Sequence, residues 1–162
     1  MRTNVELIHF IELSNDEKKM VLKWRNHSNV KKWMYNTENI LLENHLNFIK
    51  TLANQKDKIY FLVKSHQKYI GVIDFTNITS IDCEFGLYTN IAFKGYGKLL
   101  LTTIIEYAFN ALHLQKLKAE VFVKNERAIS LYKKYDFSAI TKKIVNNREV
   151  LCMELKNENR KV

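Results

Sequence analysis

Two stretches of the chain carry residue types whose spacing could do chemistry. The first, Phe93-Lys-Gly-Tyr-Gly-Lys98, holds two of only four glycines in a 162-residue chain that has no proline. It lies between a strand-like and a helix-like pattern, where backbone N–H groups converge at a helix start and, with the positive end of the helix dipole, bind anions. Gly95 and Gly97 would give such a turn positive φ and close approach to a phosphate oxygen, with Tyr96 between them and Lys94 and Lys98 adding charge. Taken alone, Gly-x-Gly before a helix fits a plain flexible turn equally well. It lacks the third glycine of a dinucleotide fingerprint and the Gly-Lys-Ser/Thr of a P-loop. The second stretch is Asn125-Glu-Arg-Ala-Ile-Ser-Leu-Tyr132, continuing to Phe137. Asn125, Ala128 and Tyr132 recur at helical spacing and share one face near a helix start.

The surrounding patterns say what must position these residues. Val5 to Leu13 reads as a strand, and Ser14-Asn-Asp-Glu17 is a capping box opening a helix from about Asp16 to His27, with Met20, Val21 and Trp24 inward. Leu42 to Leu52 is a second amphipathic helix, with Leu42, Leu46 and Ile49 at helical spacing and His45 on or beside that face. The period then changes. Ile59 to Val63, Tyr69 to Phe75 and Asp82 to Tyr88 are β-branched and aromatic runs joined by short polar turns, which predicts an antiparallel meander. Leu99 to Leu112 reads as a helix with Leu100, Ile104, Ala108 and Leu112 in one stripe, Leu117 to Val123 as a strand, Glu126 to Lys134 as a helix, and Glu149 to Leu155 as a last strand. The expected fold class is α/β, one domain over 1–162, with a mixed sheet that is antiparallel at first and parallel across the helical crossover.

The Gly-x-Gly helix start, the Asn125…Ala128…Leu131-Tyr132…Phe137 pattern and the order of elements together resemble the GNAT family of N-acetyltransferases over nearly the whole chain. That family's phosphate loop reads Arg/Gln-x-x-Gly-x-Gly/Ala, and Ala92-Phe-Lys-Gly-Tyr-Gly97 departs from it at Ala92. The resemblance implies a GNAT fold, with helices on both sheet faces and a splayed parallel pair, Glu84–Asn90 and Leu117–Val123. Acetyl-CoA would lie in the splay as co-substrate, its pantetheine paired with the earlier strand and its pyrophosphate held by Lys94, Gly95, Tyr96, Gly97 and Lys98, with Asn125 and Ala128 nearby. A backbone N–H near Leu87, Tyr88 and Thr89 would meet the thioester oxyanion. Tyr132, with an ordinary phenol pKa near ~10, would donate a proton to the departing thiolate. The amine's base is open among Glu84, Glu120 and Asp74, and each of these carboxylates could instead simply pair with a nearby lysine.

The acceptor side is read from Trp24-Arg-Asn-His27, Trp33-Met-Tyr35 and His45-Leu-Asn-Phe-Ile49. With Gly71-Val-Ile-Asp-Phe-Thr-Asn77 and Cys83 to Tyr88, they resemble the N-acetyltransferases of pseudaminic acid biosynthesis, from about Leu22 to Phe137. That branch acetylates the 4-amine of a UDP-linked 4-amino-4,6-dideoxy sugar. The resemblance implies Arg25 and His45 at the diphosphate, Met34, Tyr35 and Phe48 at the base, and Thr76, Asn77 and Tyr88 along the sugar. An ordinary reading stands beside each: Arg25 in a surface ion pair, His45 a satisfied half-buried histidine, Phe48 a core residue. The alternative acceptor is a protein N-terminus, as in the ribosomal-protein branch of the same family. A catalytically silent coenzyme- or nucleic-acid-binding module is the other class, and an intact Tyr132 argues against it.

Composition bounds the rest. The net charge of +9 suits an acidic partner such as a nucleotide, but the lysines are scattered or in pairs, without the dense basic and aromatic run of a nucleic-acid binder. Cys83 and Cys152 lie in strand-like surroundings without metal spacing, so the expectation is reduced thiols and no metal. No apolar run reaches a membrane span, and a cytoplasmic enzyme without a membrane partner is expected. A homodimer is left open.

Overall fold

The computed structural model describes residues 4–160. Strand β1 (Glu6–His9) leads through a single 3₁₀ turn at Phe10–Glu12 into helix α1 (Asn15–Asn26), whose capping box is formed in both directions: Ser14 Oγ accepts from Glu17 N and Glu17 Oε1 from Ser14 N. The expected strand to Leu13 is thus cut short, because His9 Nδ1 accepts from Ile11 N and starts the turn. A short helix α2 (Ser28–Lys31), capped by His27, precedes α3 (Leu42–Leu52). On α3 the inward residues are His45, Ile49 and Leu52, whereas Leu42 stands in solvent.

Strands β2 (Ile59–Ser65), β3 (Lys68–Thr76) and β4 (Asp82–Thr89) form the expected meander. The β2–β3 turn has no glycine. His66 and Gln67 take φ of 50° and 69°, the double positive φ that matches a hairpin's twist. Helix α4 (Gly97–Glu106) starts two residues earlier than its pattern and ends in a π-helical turn over Tyr107–Ala111. Strand β5 (Lys116–Phe122) and helix α5 (Glu126–Lys134) follow, and then a hairpin of β6 (Ser138–Val145) and β7 (Arg148–Lys156). The sheet order is β1-β2-β3-β4-β5-β7-β6, antiparallel except for β4–β5.

Alternation along the strands sends side chains to two cores. Phe61, Val63, Ile73, Phe75, Phe85, Leu117 and Ala119 pack with α4 and with Tyr132 of α5. Leu62 and Val72 face the other way, onto Phe10, Val21 and Trp24, and onto Ile49 and Leu52 of α3. Helices therefore cover both faces of one mixed sheet. No helix among the described residues is long and apolar enough to cross a membrane.

Candidate active site

The parallel pair is where the sheet opens. β4 and β5 pair only at Asp82↔Lys116, Cys83↔Leu117 and Glu84↔Lys118. Past Glu84, β4 stays bonded to β3 as far as Thr89, while β5 continues against β7. The β5-facing edge of Phe85–Thr89, which includes Leu87, Tyr88 and Thr89, thus has no strand partner among the described residues and can accept an extended ligand through main-chain hydrogen bonds.

Helix α4 starts beside this gap. Its N-cap is Tyr96, and no side chain caps its first N–H groups, which stay available to an anion. Gly95 has φ 88° with open space at its missing Cβ, so backbone conformation dictates that glycine. At Gly97 an added Cβ would meet only Leu131 Cδ2 at 3.5 Å, an ordinary contact. The approach is fixed by Asn90, which donates to Tyr69 O (2.8 Å) and accepts from Ala92 N (2.9 Å). Ala92, Lys94 and Lys98 are exposed around the turn.

Asn125 caps α5 by accepting from Ala128 N at 3.3 Å, which gives that pair of residues a local structural reason. Two turns on, Tyr132 is buried edge-on to Phe85 (5.4 Å) and beside Phe137 (5.7 Å). Burial, with the charge of Asp74, pushes its phenol far above the usual range, so it carries its proton at neutral pH.

On the opposite face, Asp74 lies across from Gly86, with Tyr60 and Tyr88 beside it. Arg25 reaches this region from α1. Its Nη2 donates to Asn36 O at 2.8 Å, its Nη1 is buried without a hydrogen-bond partner among the described residues, and burial lowers its pKa. Asn77 donates to Glu84 Oε2 at 2.7 Å, and Thr76 pairs with Glu84 across the ladder. Glu120 accepts from the Tyr35 hydroxyl and from Lys143 Nζ (2.6 Å). Burial pushes the Glu120 carboxyl up, but these two donors and the lysine charges outweigh it and hold it below the ordinary value.

The expected acceptor residues divide. Arg25, Tyr35, Asn77 and Tyr88 gather on the face that carries Asp74. His45 is buried between α1 and α3, Nε2 2.9 Å from Lys18 O, its pKa lowered by burial. Phe48 packs edge-on to Tyr60 at 5.0 Å, and Met34 is half-buried on the loop after α2. Among the described residues no three His, Cys, Asp or Glu gather as a metal site.

Residues 7–138 match the family described as Acetyltransferase (GNAT) domain. The chain belongs to the GNAT acetyltransferase family. Among its relatives is acetyltransferase PseH of Campylobacter jejuni, 44% identical over 134 residues, covering 83% of this chain and 85% of the relative. The solved structure of C. jejuni N-acetyltransferase PseH in complex with acetyl coenzyme A superposes with a TM-score of 0.80 at 37% identity, over 94% of this chain and 99% of that one. Spermidine N-acetyltransferase of Vibrio cholerae, with CoA and spermine, reaches a TM-score of 0.85 at 19% identity over 96% of both chains, a likeness of fold.

In this GNAT enzyme, contacts without a local sequence pattern also shape this corner. Arg148 of β7 donates to Lys32 O (2.9 Å) and stacks its guanidinium 3.5 Å from the Phe122 ring centre, and Asn146 donates to Tyr35 O (3.1 Å). Asn26 and Ile40 exchange two hydrogen bonds, 2.9 and 2.8 Å. Together they tie the segment from Lys32 to Ile40 to α1 and to the β6–β7 hairpin. The signal for this corner was Asn146-Asn147, both at positive φ, a two-residue hairpin turn.

Proposed function

We propose that this acetyltransferase moves the acetyl group of acetyl-CoA to the 4-amine of a UDP-linked 4-amino-4,6-dideoxy sugar (UDP-4-amino-4,6-dideoxy-β-L-AltNAc), in pseudaminic acid biosynthesis. The observation that carries the reading is the 44% identity to PseH over 83% of the chain. Acetyl-CoA fits what the residues offer: the open β4 edge for pantetheine, and the uncapped α4 N-terminus with Gly95, Lys94 and Lys98 for pyrophosphate. Those main-chain donors and lysines would make up for Ala92. A β4 N–H among Leu87, Tyr88 and Thr89 would stabilise the thioester oxyanion, and Tyr132 would protonate the leaving sulfur.

On the acceptor side, Arg25 holds Asn36 O through Nη2 and leaves the buried Nη1 without a hydrogen-bond partner among the described residues; a side-chain shift on substrate entry would bring that second arm of the fork to a diphosphate oxygen. Tyr35 and Met34 would meet the uracil, and Thr76, Asn77 and Tyr88 the sugar. His45 and Phe48 support this site through the packing of α3. The test is to incubate the protein with acetyl-CoA and either the 4-amino UDP-sugar or N-terminal peptides, following free thiol. Thiol release with the UDP-sugar alone is expected; release with peptides alone would overturn the reading.

A further inference from the structure

We infer that Asp74 is the base that takes the proton from the acceptor amine, an assignment that rests on the acetyl-transfer reading above and narrows it. Three carboxylates, Glu84, Glu120 and Asp74, stand on or beside the β4–β5 pair, and two of them are held by side chains. Glu84 is bound by the Asn77 amide, and Glu120 by the Tyr35 hydroxyl and the Lys143 ammonium. A base already bonded to an ammonium has little remaining proton affinity. Asp74 forms no ion pair among the described residues.

Its placement follows from the strand register. Asp74 lies opposite Gly86, just past Glu84↔Lys118, the last β4–β5 pair. Because residue 86 has no side chain, the carboxyl lies against the β4 main chain: a Cβ built there would stand 2.7 Å from Asp74 Oδ2. This is the part of β4 whose other edge is open for the thioester. Asp74 thus reaches the reacting atoms from the acceptor face, while Tyr132 reaches them from the α4 face, near enough to feel the Asp74 charge.

The surroundings tune the carboxyl for this task. Tyr60 of β2, Tyr88 and Cys83 of β4 and Tyr132 of α5 are the titratable groups around it, with Arg25 beyond Tyr60 and Tyr88. Burial pushes its pKa up to about 7, against a smaller pull from the Gly86 N–H. A base is most effective when its pKa lies near the working pH.

The protons balance. Asp74 takes one proton from the ammonium and passes it to water. The neutral nitrogen attacks the thioester carbonyl, the C–N bond forms, and the C–S bond breaks as the tetrahedral intermediate collapses. The sulfur takes the Tyr132 proton, and the second nitrogen proton restores Tyr132, leaving amide, free thiol and one proton released.

Asp74→Asn should lower kcat ~10²–10⁴-fold at pH 7, keep acetyl-CoA affinity, and lose the acid limb near pH 7 in kcat/KM for the amine. The deficit should shrink toward alkaline pH, where the amine deprotonates unaided. Gly86→Ala should keep the fold, since only a side-chain end must move, and lower kcat by displacing the carboxyl. An unchanged acid limb in Asp74→Asn overturns the assignment. A second readout needs no acceptor: the carboxyl ¹³C resonance lost in Asp74→Asn should titrate near 7 in the wild type, and titration in the ordinary carboxylate range overturns the assignment. If the wild type ignores the UDP-sugar, the substrate reading fails separately, and the pH profiles are run on whichever amine it acetylates.

Discussion

Tyr132 and Arg25 are two residues whose role can be separated from their packing. The Tyr132 ring is held by Phe85 and Phe137, so Tyr132→Phe removes one oxygen and leaves those contacts in place. Turnover should fall ~10²–10⁴-fold, the range for losing an acid catalyst, while acetyl-CoA binding by calorimetry and the melting temperature stay close to wild type. Unchanged turnover would take Tyr132 out of the chemistry. Arg25→Ala should raise KM for the UDP-sugar and leave that for acetyl-CoA alone, and Arg25→Lys should not restore it, because the ammonium's donors all sit on one nitrogen and lack the planar fork that lets Nη2 hold Asn36 O while Nη1 is free to point elsewhere. A raised KM for acetyl-CoA instead would move Arg25 to the other half of the cleft.

Strand β3 packs closely against β4 and α4 at Gly71. A Cβ on Gly71 would fall 2.6 Å from Tyr88 O and 2.8 Å from Leu100 Cδ1, and unlike the Asp74 carboxyl opposite Gly86, the Tyr88 carbonyl is main chain and cannot turn away. Gly71→Ala should therefore cost about 1–3 kcal/mol, the usual range for overpacking, seen as a lower denaturation midpoint. It should also weaken acetyl-CoA binding, because β4 is the strand whose open edge would hold it; a wild-type midpoint would show that β4 can yield. The elements most legible in the sequence were those with strong local signals: α3 and α5 have the bounds that their periodicity gives, and the meander has its three strands. Strand β6 is not legible in the sequence because nearly all its residues are exposed, so no alternation marks it. The helix start at the Gly-x-Gly turn and the Asn125-capped helix α5 were likewise legible. The docking of the segment after α2 onto β5 and β7 was not, because Tyr35 meets Glu120, and Arg148 meets Lys32, across 85 and 116 positions of sequence. His45 shows the limit from the other side: the sequence gives its residue type, but only the α1–α3 contact reveals that Lys18 O occupies its Nε2.

For the molecule as a whole, these carboxylates pull stability in opposite directions with pH. Glu17, held by the Ser14 N–H and Tyr69, and Glu120, held by Lys143 and Tyr35, have folded pKa values below the unfolded ones. The stability they add is present above the unfolded carboxylate range and is lost as pH falls through the folded values. Asp74 is the reverse. Its folded value is raised to about 7, so between the unfolded carboxylate range and 7 the folded protein holds a proton that the unfolded chain has released. Its favourable contribution is complete below the unfolded value and is lost as pH rises through 7; above that, folding must bury a charge that has no ion pair among the described residues. Asp74→Asn removes that charge while keeping the shape. Thermal melts of the variant and wild type should differ little near pH 4 and diverge by pH 8, with the variant the more stable even as it turns over more slowly, the trade expected where a reactive group is kept at the expense of stability. A variant that is less stable at both pH values would mean that Asp74 is held by the fold for its hydrogen bonds rather than in spite of its charge.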